Sequence, residues 1–142
     1  MNQKKNSVLQ LGFGVFMLLA VWSLAGCQSE KPPAAESLED RILARWTAVI
    51  ERDFETAWGF YSPGFRQTNP LEPFVNDMNG RPIRWLEAEL LQLDCEDDVC
   101  NVRLRVVYTP VVGPAGLIGT QIPTILDERW LRIDDRWWFV AD

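Results

Sequence analysis

Residues 37–66 read SLEDRILARWTAVIERDFETAWGFYSPGFR, and this stretch decides the fold. Leu38, Ile42, Trp46, Ile50 and Phe54 recur every four positions with Val49 beside them, which gives one face of a helix an unbroken apolar stripe. Ala57, Trp58 and Tyr61 continue it in a second, shorter helix over 54–61. A stripe this rich in aromatic rings has to be buried against another layer. Ser37 with Asp40 three positions on resembles a capping arrangement, and Glu36 and Glu39 add negative charge at the positive end of the helix. Asp53 marks the end of the first helix and supplies a cap for the second, which Ser62-Pro63-Gly64 stops.

Outward from this stretch, Asn69-Pro70 opens a third helix bearing Leu71, Phe74, Val75 and Met78, and Asn79-Gly80 closes it. Pro73 is tolerated there only within a first turn. From Ile83 the period changes to two. Val102, Leu104, Val106 and Tyr108 alternate with Arg103 and Arg105, so the first set points inward and the second outward. Four strands are expected, over 84–93, 101–112, 121–133 and 136–140, with Asp134-Asp135 turning the last two into a hairpin. Helices followed by an antiparallel meander predict an α+β domain in which a curved sheet wraps around the helices.

The chain has 142 residues, 47% hydrophobic and 24% charged, enough for one domain and one core. Its net charge of −6 argues against a nucleic-acid partner. There is no histidine, which excludes imidazole bases, serine or cysteine nucleophiles activated by histidine, and histidine-ligated zinc. No metal and no cofactor are expected. Seven tryptophans serve either core packing or the lining of a ligand cavity.

The amino terminus has the three parts of an export signal: Lys4 and Lys5, an apolar run over 11–22, and small residues before Cys27. The run is short for a spanning helix, the competing reading, and ends in a Gly-Cys-Gln-Ser break. Residues 24–27, Leu-Ala-Gly-Cys, resemble the lipobox of bacterial lipoproteins. The resemblance implies cleavage after Gly26, diacylglycerol on the Cys27 sulfur and a further acyl chain on its amine, so that several chains anchor the protein where one would not. Cleavage removes two lysines and no acid, taking the charge from −6 to −8. Gln28, where retention in the inner membrane would place aspartate, implies the periplasmic face of the outer membrane. Residues 27–36, with Pro32, Pro33 and polar neighbours, have the composition of a tether. The expected organisation is a signal peptide over 1–26, a lipidated tether over 27–36 and a folded domain over 37–142.

Cys95 and Cys100 flank the turn between the first two strands. With Cys27 committed to lipid they form an even pair in an exported chain, and a disulfide across the hairpin neck is the economical reading. A metal site built from the two thiolates and the adjacent acids is the alternative.

The runs RWTAVIERDFETAWGFYSPGFR, CEDDVCNVRLRVVYTP and ERWLRIDDRWWFV together resemble the nuclear transport factor 2-like (NTF2-like) superfamily over residues 36–142. That resemblance implies a cone in which a long N-terminal helix lies in a bent antiparallel sheet. It carries no catalytic motif, since the superfamily holds isomerases, dehydratases, transport factors and lipoproteins alike. Homodimers are common for the fold, and no sequence feature here demands one.

Two functions follow as expectations. One is a non-catalytic binding or assembly module, anchored in the envelope and contacting a partner protein or a small apolar ligand, with Trp46, Trp58, Tyr61 and Tyr108 as candidate pocket residues. The other is an isomerase or dehydratase using a cavity carboxylate and a tyrosine, for which Tyr61 and Tyr108 are the available tyrosines and Asp53, Asp77 and Glu128 the conceivable acids. Each acid also has a structural role available: Asp53 as a cap, Asp77 on a polar helix face, Glu128 paired across the sheet with Arg105 or Arg132. The loop over 110–123, PVVGPAGLIGTQIP, either folds back on the sheet or forms an apolar lip for membrane or protein.

Overall fold

The computed structural model describes residues 36–141. The expected signal peptide, Cys27 and all of the expected tether except Glu36 lie outside the described residues.

Helix α1 spans Leu38–Glu51. The Ser37 hydroxyl accepts the Asp40 N–H at 3.1 Å and so caps the helix as the sequence implies. The helix ends one residue earlier than the acidic break suggests, because Arg52 takes a left-handed conformation with φ 63° and closes the last turn. Asp53 then caps α2, Phe54–Trp58, through the N–H of Thr56 at 3.1 Å. This helix stops short of Tyr61. Ser62-Pro63-Gly64 starts a helix where the sequence suggested only a stop: Ser62 caps the N–H of Phe65, Pro63 occupies the first turn, and α3 runs Pro63–Thr68. Helix α4, Leu71–Gly80, carries Pro73 in its first turn, where a missing N–H costs nothing.

The sheet is a four-stranded antiparallel meander in the order β1-β2-β3-β4: Ile83–Glu96, Val99–Pro110, Ile122–Ile133 and Arg136–Val140. The first hairpin is longer than the sequence implied, since pairing continues through Cys95↔Cys100 to Glu96↔Val99. Register shifts at Trp85/Glu87 and Leu90/Gln92 bend β1. The β4 edge does not stay open. Ser62 donates to the Phe139 carbonyl at 2.9 Å and Phe139 donates to the Phe60 carbonyl at 2.9 Å, so the link after α2 caps it.

The helices pack in the concavity of this curved sheet. Leu38, Ile42, Trp46 and Val49 of α1, Phe54 and Ala57 of α2, and Phe74 and Met78 of α4 meet Val102, Leu104 and Val106 of β2 and Trp130 of β3 in one core. Ile50 is only half-buried. Arg103 and Arg105 face outward as the alternation requires. Arg41 and Arg45 are buried on the inner side of α1, which a purely apolar stripe did not anticipate.

Candidate functional site

The core of the cone contains a polar clasp. Glu128 lies in the alternation Leu126, Glu128, Trp130 of β3, whose last two members are buried against α1. One turn of α1 places Arg41 and Arg45 four apart. Arg45 Nη1 donates to Glu128 Oε1 at 2.8 Å, and both side chains are buried. Trp46 Nε1 donates to the same oxygen at 3.1 Å, and Trp130 Nε1 to Oε2 at 3.0 Å. Arg45 Nη2 reaches the Tyr61 hydroxyl at 3.3 Å, while its guanidinium carbon lies 3.8 Å from the Phe139 ring centre. A carboxylate with three N–H donors is a fixed anion, and the cation is held between rings. The clasp ties α1, the link after α2, β3 and β4 together.

The sequence placed Glu128 opposite Arg105 or Arg132, and the structure corrects this. Those arginines belong to other pairs: Arg105 reaches Glu89 at 3.5 Å and Arg132 reaches Asp98 at 2.7 Å. Strand parity excludes Arg105, because Glu128 points to the concave face and Arg105 to the opposite one, while Arg132 lies four residues further along the same strand, where Asp98 meets it. An inward parity for Glu128, with two arginines beside the apolar stripe of α1, was the signal available in the sequence.

Of the four candidate pocket residues, the structure brings Trp46 and Tyr61 together on the clasp. Tyr61 also stacks on Phe65 at 4.4 Å. Trp58 lies apart and half-buried, its Nε1 donating to the Asn69 carbonyl at 2.9 Å. Tyr108 is half-buried against Trp85 at 5.6 Å, and Trp85 in turn meets the edge of Trp46 at 5.4 Å. Asp53 is exposed as a cap, where the Thr56 hydroxyl and N–H hold its carboxyl below the usual range. Asp77 pairs with Arg81 at 2.9 Å on the surface of α4. Cys95 and Cys100 form a disulfide. Among the described residues no group of three acids, cysteines or histidines is arranged to hold a metal ion.

Two further features lie on the surface. On the convex side of the sheet, Gln92, Asp94, Asn101, Arg103 and Asp127 line a shallow trough of about 110 Å³, crossed by the Arg103–Asp127 ion pair. The loop between β2 and β3 does not fold back: every residue over 111–120 is exposed, with Val112 at 70%.

With this geometry in view, solved structures of similar architecture place the chain. A SEC-C motif containing protein from Rhodopseudomonas palustris superposes with a TM-score of 0.58 at 18% identity, over 75% of this chain and 77% of that one. An NTF2-like protein of unknown function from Pseudomonas putida gives 0.52 at 17% identity, over 75% and 82%. A protein from Thiobacillus denitrificans, described as a calcium/calmodulin-dependent protein kinase type II association domain, gives 0.55 at 10% identity, over 76% and 94%. No family model and no curated protein matches the sequence. The fold is that of the NTF2-like cone, and at these identities the likeness speaks for fold alone.

Proposed function

We propose that this protein is a non-catalytic binding or assembly module, anchored by lipid on Cys27 to the periplasmic face of the outer membrane and contacting an envelope partner. The observation that carries the binding role is the lip over 111–120. It is uncharged in a chain of which 24% is charged, and Val111, Val112, Leu117 and Ile118 stand 45–70% exposed on it. Side chains of this kind at an exposed loop mark a contact surface. The lipobox resemblance of residues 24–27 supports the address. A photo-crosslinking residue at Val112 in living cells should give a discrete protein adduct, and deletion of 115–119 should abolish its recovery with the protein. A chain that yields no adduct, or keeps its partner without 115–119, contradicts the reading.

One observation favours the isomerase or dehydratase alternative: Arg45 links the Tyr61 hydroxyl to the Glu128 carboxylate. A base, however, must present a free lone pair to a substrate proton. Here Glu128 accepts three donors, an arrangement suited to holding elements together. If Glu128→Gln removed a carbonyl-isomerising activity from the purified protein without altering its thermal stability, the catalytic alternative would displace the binding one.

A further inference from the structure

A second cluster of arginine and tryptophan surrounds Trp138 of β4, apart from the clasp. Three guanidinium carbons lie close to this ring: Arg136 at 4.7 Å, Arg66 at 4.9 Å and Arg41 at 5.6 Å from its centre. Arg66 of α3 also lies 5.2 Å from the ring of Trp58, and Arg41 lies 4.9 Å from that of Phe60. Arg41 is 2% exposed. Its Nε donates to the Trp137 carbonyl at 2.7 Å and its Nη1 to Glu36 at 2.7 Å, while Nη2 is buried without a hydrogen-bond partner, as is Nε of Arg66. Arg66 is half-buried and Arg136 exposed, so the cluster opens to solvent on their side.

The charges do not balance locally. Among the described residues neither Arg66 nor Arg136 has a carboxylate at ion-pair distance, and Glu36 is the one acid paired within the cluster. This happens in a chain whose acids outnumber its bases 20 to 14, and in which Arg81, Arg103, Arg105 and Arg132 each have their own carboxylate. A half-exposed carboxylate on Arg41 marks where an oxyanion oxygen sits.

We propose that Arg66 and Arg136, backed by the buried Arg41 and framed by Trp58 and Trp138, form an oxyanion surface that takes the phosphate of an anionic membrane phospholipid headgroup. Guanidinium forks match phosphate oxygens in pairs. Half-buried tryptophans with an apolar body and a polar edge suit the headgroup level of a bilayer, and arginines near an anionic surface are drawn to it. Position supplies the choice of a lipid source over free phosphate. Glu36, which bonds Arg41, is the residue through which a tether from Cys27 enters the domain, so an anchored chain brings this end to the bilayer. β4 pairs with β3 beside the Val99 end of β2, whereas the lip follows Pro110 at the other end, roughly 35–40 Å away at the usual rise per strand residue. One end therefore faces lipid and leaves the lip free for a partner. The inference rests on the anchored reading given above.

The test uses the native lipidated chain reconstituted into vesicles of neutral phosphatidylcholine, or of phosphatidylcholine with anionic phosphatidylglycerol, reading iodide quenching of tryptophan emission. Flotation with neutral vesicles reports the anchor separately, so loss of the anchor and loss of the site are distinguished. Protection from iodide in the anionic vesicles, lost in R66Q/R136Q and in the surface variant R136Q but kept in R103Q, is the expected result. Arg136 is exposed, so R136Q keeps its fold even if the double variant does not. Equal quenching in both vesicle types, or protection that survives R136Q, overturns the proposal. The same protection in neutral vesicles on adding inorganic phosphate assigns the cluster to free phosphate and overturns the lipid assignment.

Discussion

Glu128 shows how much one buried charge can determine. Its three donors come from α1 and from its own strand, and the guanidinium that faces it also bonds Tyr61. Removing one partner strands the other in the core. Arg45→Met is therefore expected to destabilise by about 3–5 kcal/mol, whereas Arg45→Met with Glu128→Leu recovers most of the loss, because apolar groups of similar volume replace a buried pair at little cost. Guanidinium unfolding of the three proteins checks it, and a double variant no better than the single would refute the clasp. Asp53 makes the opposite case, an exposed charge whose effect is local. Its folded pKa is lowered, first by the Thr56 hydroxyl and then by the Thr56 N–H, so its contribution is present above the ordinary carboxylate value of about 4 and is lost as pH falls through the folded value. Asp53→Asn, which keeps a capping side chain, should lose less urea resistance than the parent between neutral and strongly acid pH. The Asp53 cap was legible in the sequence because its partner is three residues away. The Glu128 pair was not, since Arg45 stands 83 positions from it and only the fold brings them together.

At the scale of elements, periodicity identified α1, α4 and the four strands, and the polar turns identified their order. It failed where a single residue decides. Ser62 and Pro63 read as a stop because a proline ends the helix before it, but the same pair is also a cap and a first turn, and α3 follows. The β1–β2 hairpin was drawn too short because its exposed far end has little inward alternation to see. There the disulfide fixes the pairing: Cys95 is exposed and Cys100 fully buried. Closing so small a loop stabilises by about 2 kcal/mol in the chain-entropy account. Reduction should therefore lower the unfolding free energy by that amount while leaving the far-ultraviolet spectrum unchanged. Loss of the sheet signal on reduction would show that the bridge creates the hairpin instead of pinning it.

For the whole molecule, the fold accounts for the covered β4 edge, for the concave face filled by α1, α2 and α4, and for a lip left in solvent at the far end from Glu36. Among the described residues no helix is long and apolar enough to cross a membrane. In the proposed function, acyl chains on Cys27 anchor the chain and the lip contacts its partner. The measurement that tests this most directly is incorporation of radiolabelled palmitate in living bacteria. Label is expected on the parent chain and absent from Cys27→Ala. A parent chain that takes up no label, or a Cys27→Ala chain that keeps it, contradicts the anchored account.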